Sequence, residues 1–94
     1  MDIQHAAAEQ AFTTSIEGHQ GKLTYARPDD ATIDFQHTWV DEALRGRHVG
    51  DALAEAGLAF ASAQGLRIVT SCSFIAAYVQ RHPEWEHLRA QTAD

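Results

Sequence analysis

Along this chain the spacing of apolar positions changes from every second residue to every third or fourth. Gln10 to Ile16 is rich in β-branched and aromatic residues and is closed by Gly18. Lys22 to Arg27 alternates, with Leu23 and Tyr25 on one face and Lys22, Thr24 and Ala26 on the other. Gly18-His19-Gln20-Gly21 separates the two runs, so together they predict a hairpin with a glycine-bearing loop. Pro28-Asp29-Asp30 is a turn signal, because proline fixes φ and aspartate tolerates turn conformations. Thr32 to Val40 is the clearest strand, and strict alternation puts Ile33, Phe35, His37 and Trp39 on one face. From Val49 the period lengthens. Ala52, Leu53, Ala56, Phe60 and Ala63 form a helical stripe, and Gly65 follows as a stop signal. Leu66 to Thr70 reads as a short strand, and Ser71 to Arg81 as a helix turning Phe74, Ile75, Tyr78 and Val79 inward. Pro83 stops that helix, and Glu84 to Arg89 forms a final turn carrying Trp85 and Leu88.

Three strands, a helix, a strand and a helix predict a layered α/β domain. The first three strands are joined by short turns and should be antiparallel. The connection from Val40 to Leu66 runs through a helix, so the strands it joins should be parallel with a right-handed crossover. The expected sheet is therefore small and mixed, with two main helices. The 94 residues suit one domain spanning 1–94.

Composition then narrows the partners. Seven Lys and Arg against thirteen Asp and Glu leave a net charge of −6, a poor balance for gripping a nucleic-acid backbone or an anionic membrane. The single cysteine, Cys72, cannot close an internal disulfide, which suits a reducing cytoplasm. It also excludes zinc sites that need two or four thiolates. His82 and His87 flank Pro83-Glu84-Trp85-Glu86, but the proline breaks the helix between them, so no metal site is expected. No signal peptide or membrane-spanning run stands out; the apolar stretch Ala52–Ala63 is short and holds Glu55.

Against that acidity, Leu44-Arg45-Gly46-Arg47-His48-Val49-Gly50-Asp51 stands out. It joins the end of a strand to the start of a helix, where backbone N–H groups have no internal partner and the dipole end is positive. Gly46 and Gly50 let a backbone approach a ligand, and Arg45 and Arg47 add fixed charge. A phosphate or pyrophosphate fits this chemistry. The competing reading is a glycine-containing turn with solvated arginines.

Arg47-His48-Val49-Gly50-Asp51-Ala52 resembles the Arg/Gln-x-x-Gly-x-Gly/Ala loop of the GNAT superfamily of acetyl-CoA-dependent N-acetyltransferases. His37-Thr38-Trp39-Val40, Cys72-Ser73-Phe74 and Tyr78-x-x-x-His82-Pro83-Glu84-Trp85 extend the likeness to a compact subfamily, over roughly Thr32 to Trp85. The resemblance implies that the Arg45–Asp51 stretch (Arg45, Gly46, Arg47, His48, Val49, Gly50 and Asp51) holds the pyrophosphate of coenzyme A. It implies a pantetheine arm lying between Thr38, Trp39 and Val40 on one strand and Ser71 at the end of the other, with Asp41–Leu44 lining its exit. His48 stands where the family often has glycine.

Acetyl transfer to an amine needs a free base, a polarised carbonyl and a proton for the leaving thiolate. Cys72 falls where a strand ends and a helix begins, a position that favours a thiolate. It is either a nucleophile or a small buried hydrophobe. Tyr78 lies about where larger members of the superfamily keep a tyrosine that protonates the coenzyme thiolate, so the resemblance makes it the candidate acid, although it also belongs to its helix's apolar stripe. Because the resemblance includes the His37-Thr38 pair, His37 is a secondary candidate base, with Glu42 behind it; the alternatives are a hydrogen-bonded core histidine and a chain of waters in the base's place. The expected activity is acetyl-CoA-dependent N-acetylation of an amine acceptor, on a protein lysine or a small amine, by a monomer or homodimer. A non-catalytic acyl-CoA-binding module, or a generic nucleotide-binding domain, would use the same loop.

Overall fold

The structure, a computed structural model, describes residues 2–89. It is a mixed α/β fold. Five strands, β1 (Gln4–Ala6), β2 (Ala11–Ile16), β3 (His19–Asp29), β4 (Thr32–Val40) and β5 (Arg67–Thr70), form one sheet in chain order. The first four are antiparallel and β5 runs parallel to β4, as the crossover requires. Helix α1 (Val49–Ala63) makes that crossover, and α2 (Ser73–Arg81) follows β5. Short 3₁₀ turns occupy Ala7–Glu9, Glu42–Leu44 and Pro83–Leu88. None of the described helices is long and apolar enough to cross a membrane.

Both helices pack on one face of the sheet. α1 lies against β2 to β5 and α2 against β4 and β5, around Leu23, Ile33, Phe35, Leu53, Leu58, Ile68, Ile75 and Val79, all fully buried. Each such side chain contributes about 1.5–3 kcal/mol by leaving water. Two glycines allow the close approach. A Cβ on Gly57 would stand 2.8 Å from the Phe35 ring and 3.0 Å from Leu23, and one on Gly21 would stand 2.9 Å from Val49. The opposite sheet face carries exposed Lys22, Trp39, Arg67 and Val69.

The turns differ from the sequence reading. The first hairpin closes on Glu17-Gly18, both at positive φ (53° and 82°), with Ile16 opposite His19. This is the primed turn whose twist matches paired strands. His19, Gln20 and Gly21 are therefore strand residues rather than loop. β3 likewise runs through Pro28 to Asp29, and the chain turns at Asp30-Ala31. The Asp29 carboxylate caps that turn by accepting from Ala31 N–H at 2.8 Å, which pulls its pKa below the usual carboxylate range.

The largest correction concerns β4. Thr24 pairs with His37 but Tyr25 pairs with Phe35, so Gln36 is an extra residue, a β-bulge. A bulge shifts the alternation by one. Ile33 and Phe35 face the helices, while His37 and Trp39 fall on the opposite face with Lys22 and Thr24. Trp39 is 55% exposed. Thr38 and Val40 take the inward positions instead.

The N-terminus also carries more structure than its sequence promised. His5, in β1, stacks on Phe12 at 4.3 Å and meets the edge of Phe60, and its Nε2 lies 2.6 Å from Tyr25 Oη. Desolvation lowers the His5 pKa below its ordinary value. The unfolded chain then binds the proton more readily, so this contribution to stability is complete above about pH 6.5 and is lost as pH falls. Melting curves between pH 7 and 5 should show a smaller acid-side fall for His5→Gln than for the wild type.

Candidate functional site

β4 and β5 pair only from Thr32–Arg67 to Phe35–Thr70, and then they part. Beyond the bulge, β4 keeps β3 on one side and has no strand on the other among the described residues. Asp41 N–H donates to Gln20 O at 2.8 Å, which fixes the phase of the β3–β4 ladder. In that phase the backbone groups of Trp39 and His37 face β3, and the N–H and C=O of Thr38 and Val40 face the open edge. Two extended backbone units are thus free to pair with a ligand.

Across the gap stands Cys72. Its N–H donates to Phe35 O at 2.8 Å, the last bond before the strands diverge, and its carbonyl starts α2 by accepting from Ala76 N–H. The thiol is buried, and its Sγ lies 3.4 Å from Thr38 Oγ1. Ser71, beside it, turns to the other face and donates through Oγ to Asp34 Oδ2 at 3.1 Å.

The open edge leads to a cavity of about 320 Å³ lined by Val40, Leu44, Arg45, Gly46, His48, Val49, Gly50, Asp51 and Phe74. Its floor is built from local rules. The Asp41 carboxylate accepts from Ala43 N–H at 2.9 Å and caps the Glu42–Leu44 turn, so its pKa is lowered, with His19 adding to the effect. Buried Leu44 anchors the turn to the core. Gly46 then takes φ +81° and swings the chain toward α1.

α1 begins without a side-chain cap. The first amides of the helix, at Val49, Gly50 and Asp51, therefore point outward with no intrahelical acceptor. His48, the residue before them, sits in the left-handed region at φ 61°, ψ 26°. This is a glycine-type conformation held by a histidine, at a cost of about 1–2 kcal/mol. His48→Gly should raise thermal stability by about 1 kcal/mol, read as a higher melting temperature.

The charges around the loop are mostly compensated. Arg47 reaches over the first hairpin to Glu17 at 3.5 Å rather than lining the cavity. The Asp51 carboxylate lies between His48 Nδ1 at 3.5 Å and the guanidinium of Arg81, from α2, at 3.6 Å. Sequence reasoning missed Glu17, Arg81 and the cavity wall Phe74. Nothing in their local spacing places them here, since all three reach the loop through tertiary contacts.

The candidate catalytic residues do not converge. His37 lies on the face away from Thr38 and Cys72. Tyr78 is buried between the helices, stacked on His82 at 4.1 Å, and is not among the cavity's lining residues. Burial raises its pKa, helped by the carboxylates of Glu55, Asp51 and Glu84 and opposed by Arg81, so its hydroxyl keeps its proton at neutral pH. Glu42 is exposed. Among the described residues no group of three or more His, Cys, Asp or Glu is arranged to hold a metal ion.

Comparison with known proteins fits this architecture. A family model described as GCN5-related N-acetyl-transferase matches residues 11–88. The chain is 31% identical over 88 residues to Protein NATD1 of Danio rerio, covering 92% of this chain and 80% of that one. The human Protein NATD1 matches at the same 31%, with 92% and 78% covered. The solution structure of a GCN5-like protein from Staphylococcus aureus superposes with a TM-score of 0.73 over 98% of this chain and 90% of that one, at 24% identity. A parting pair of parallel strands beside an uncapped, arginine-flanked helix start is thus found in a chain that belongs to the GCN5-related N-acetyl-transferase family.

Proposed function

We propose that this chain is an acetyl-CoA-dependent N-acetyltransferase acting on an amine. The observation that carries the reading is the continuity of the open β4 edge with the cavity at the start of α1. An extended amide-bearing arm suits the free backbone groups of Thr38 and Val40. A pyrophosphate suits the outward amides of Val49, Gly50 and Asp51 and the side chains of Arg45 and Arg47. The donor supplies an acyl thioester. The chain's own part is to align that thioester beside Cys72 and Thr38 and to keep it from water.

Two roles for Cys72 follow from its position. As a nucleophile it would take the acetyl group on Sγ while its own proton passes to the departing coenzyme sulphur. As packing it would only shape the wall of the gap. A second reading is also supported: because His37 and Tyr78 lie away from the gap, the chain would serve as an acyl-CoA-binding module without turnover. One experiment separates them. Coenzyme A is titrated calorimetrically, and the protein is incubated with acetyl-CoA and a panel of primary amines while thiol release and intact mass are followed. Heat with amine-dependent release supports the enzyme. Heat without release supports the module, and absence of heat sinks both. An acetyl adduct present in the wild type and lost in Cys72→Ala assigns the nucleophile.

A further inference from the structure

Arg81 is an unusual cation in this chain. It belongs to the last turn of α2, far in sequence from the loop, yet its guanidinium closes on Asp51, which lines the cavity. Its carbon Cζ stands 6.0 Å from the centre of the Tyr78 ring, and that ring is held in turn by His82. On the other oxygen of Asp51 sits His48, also on the cavity's wall, with its side chain 84% exposed. One carboxylate therefore separates an imidazole and a guanidinium from different elements. His48 lines the cavity itself and Arg81 reaches its wall through Asp51, and Arg45 and Arg47 are not part of this cluster.

Coenzyme A carries two kinds of anion. Its pyrophosphate is a diester with one charge per phosphorus, which outward amides and one or two arginines satisfy. Its ribose phosphate is a monoester with charge near −2 at neutral pH. A protein of net charge −6 repels such a group unless cations are set aside for it. Arg81 and His48 form a clamp of suitable chemistry, with Asp51 as the carboxylate that a phosphate would displace or join. Glu55 and Glu84, like Asp51, are close enough to Tyr78 to raise its pKa, so Arg81 stands among carboxylates as well as beside the cavity wall.

We propose that Arg81 and His48, bridged by Asp51, form the subsite for the ribose 3′-phosphate and select coenzyme A over its dephosphorylated form. The inference rests on the coenzyme A reading above and adds a specificity that reading does not contain. Binding measures it without turnover. Calorimetric titration with coenzyme A and with dephospho-coenzyme A should give a wild-type preference of about tenfold or more for the phosphorylated ligand, the worth of one charge-assisted contact at an exposed site. Arg81→Gln should shrink the preference to about twofold by weakening coenzyme A alone, and Arg81→Lys should retain much of it. His48→Gly keeps the backbone amide and should also lower the ratio. A thermal melt of each variant confirms that it is folded. Equal losses for both ligands, an unchanged ratio in Arg81→Gln, or a wild type that does not discriminate would each overturn the proposal. If neither ligand binds the wild type, the coenzyme A reading falls first and takes this subsite with it.

Discussion

Replacing Arg45 and Arg47 together with alanine is expected to weaken coenzyme A binding by about 10- to 30-fold. Arg45 lines the cavity, and Arg47 is half-exposed and held by Glu17. Each arginine is therefore assigned about 1 kcal/mol, the exposed end of the range for charge-assisted contacts. The two losses should add only in part, because both side chains would meet the same pyrophosphate, and the lower end of the range allows for that. Salt provides the independent check. Arginine–phosphate contacts between exposed groups are screened within about 10 Å at 0.1 M salt, so wild-type affinity should fall as salt rises and the double variant should respond less. A double variant with wild-type affinity and wild-type salt dependence would remove the loop from the site. Glu17→Gln makes the complementary case. It frees Arg47 from a competing carboxylate and should tighten binding severalfold.

How far these features could be read before the fold was known varies from residue to residue. The order of the main elements is local information. Alternation in Thr32–Phe35, the helical stripe from Leu53 to Ala63 and the stop at Gly65 each depend on near neighbours. The β4–β5 crossover follows from chirality alone. The bulge at Gln36 does not, because His37 and Trp39 continue a perfect alternation and only pairing with β3 shows that one residue is extra. That single displacement moved His37 and Trp39 to the exposed face and brought Thr38 to Cys72. His5 reads from the sequence as a loop or terminal residue with nothing to recommend it, for a related reason. A histidine near a terminus carries no pattern, and its place in the structure comes from Phe12, Tyr25 and Phe60, which converge from three other elements. The loop itself was legible because its chemistry is contiguous. The Asp51–Arg81 contact joins residues thirty positions apart, and only the packing of α2 on the start of α1 supplies it.

Gly50 and Gly57, seven residues apart on α1, should separate binding from stability when each is changed to alanine. Gly57→Ala gains about 1 kcal/mol of helix propensity and Gly50→Ala, in the first turn of α1, gains less, so a loss beyond that measures what the new methyl meets. At Gly57 it meets the Phe35 ring at 2.8 Å and Leu23 at 3.0 Å, two side chains with no exposed surface and no room to retreat. The helix must lift from the sheet, and Gly57→Ala should lose about 1–3 kcal/mol net, with Gly57→Val losing more. At Gly50 the methyl meets the Phe74 ring tip at 2.9 Å. Phe74 is only half-buried, and it walls the cavity, so it can yield by turning into that space. Gly50→Ala should therefore melt within a few degrees of the wild type yet lose most of the stabilisation that added coenzyme A gives. The expected pattern is a crossed one: Gly57→Ala melts low but still gains from coenzyme A, and Gly50→Ala melts normally without gaining. If Gly50→Ala kept the full ligand-induced rise, Phe74 would not border the bound coenzyme, and the site would have to lie nearer the Arg45 side of the loop.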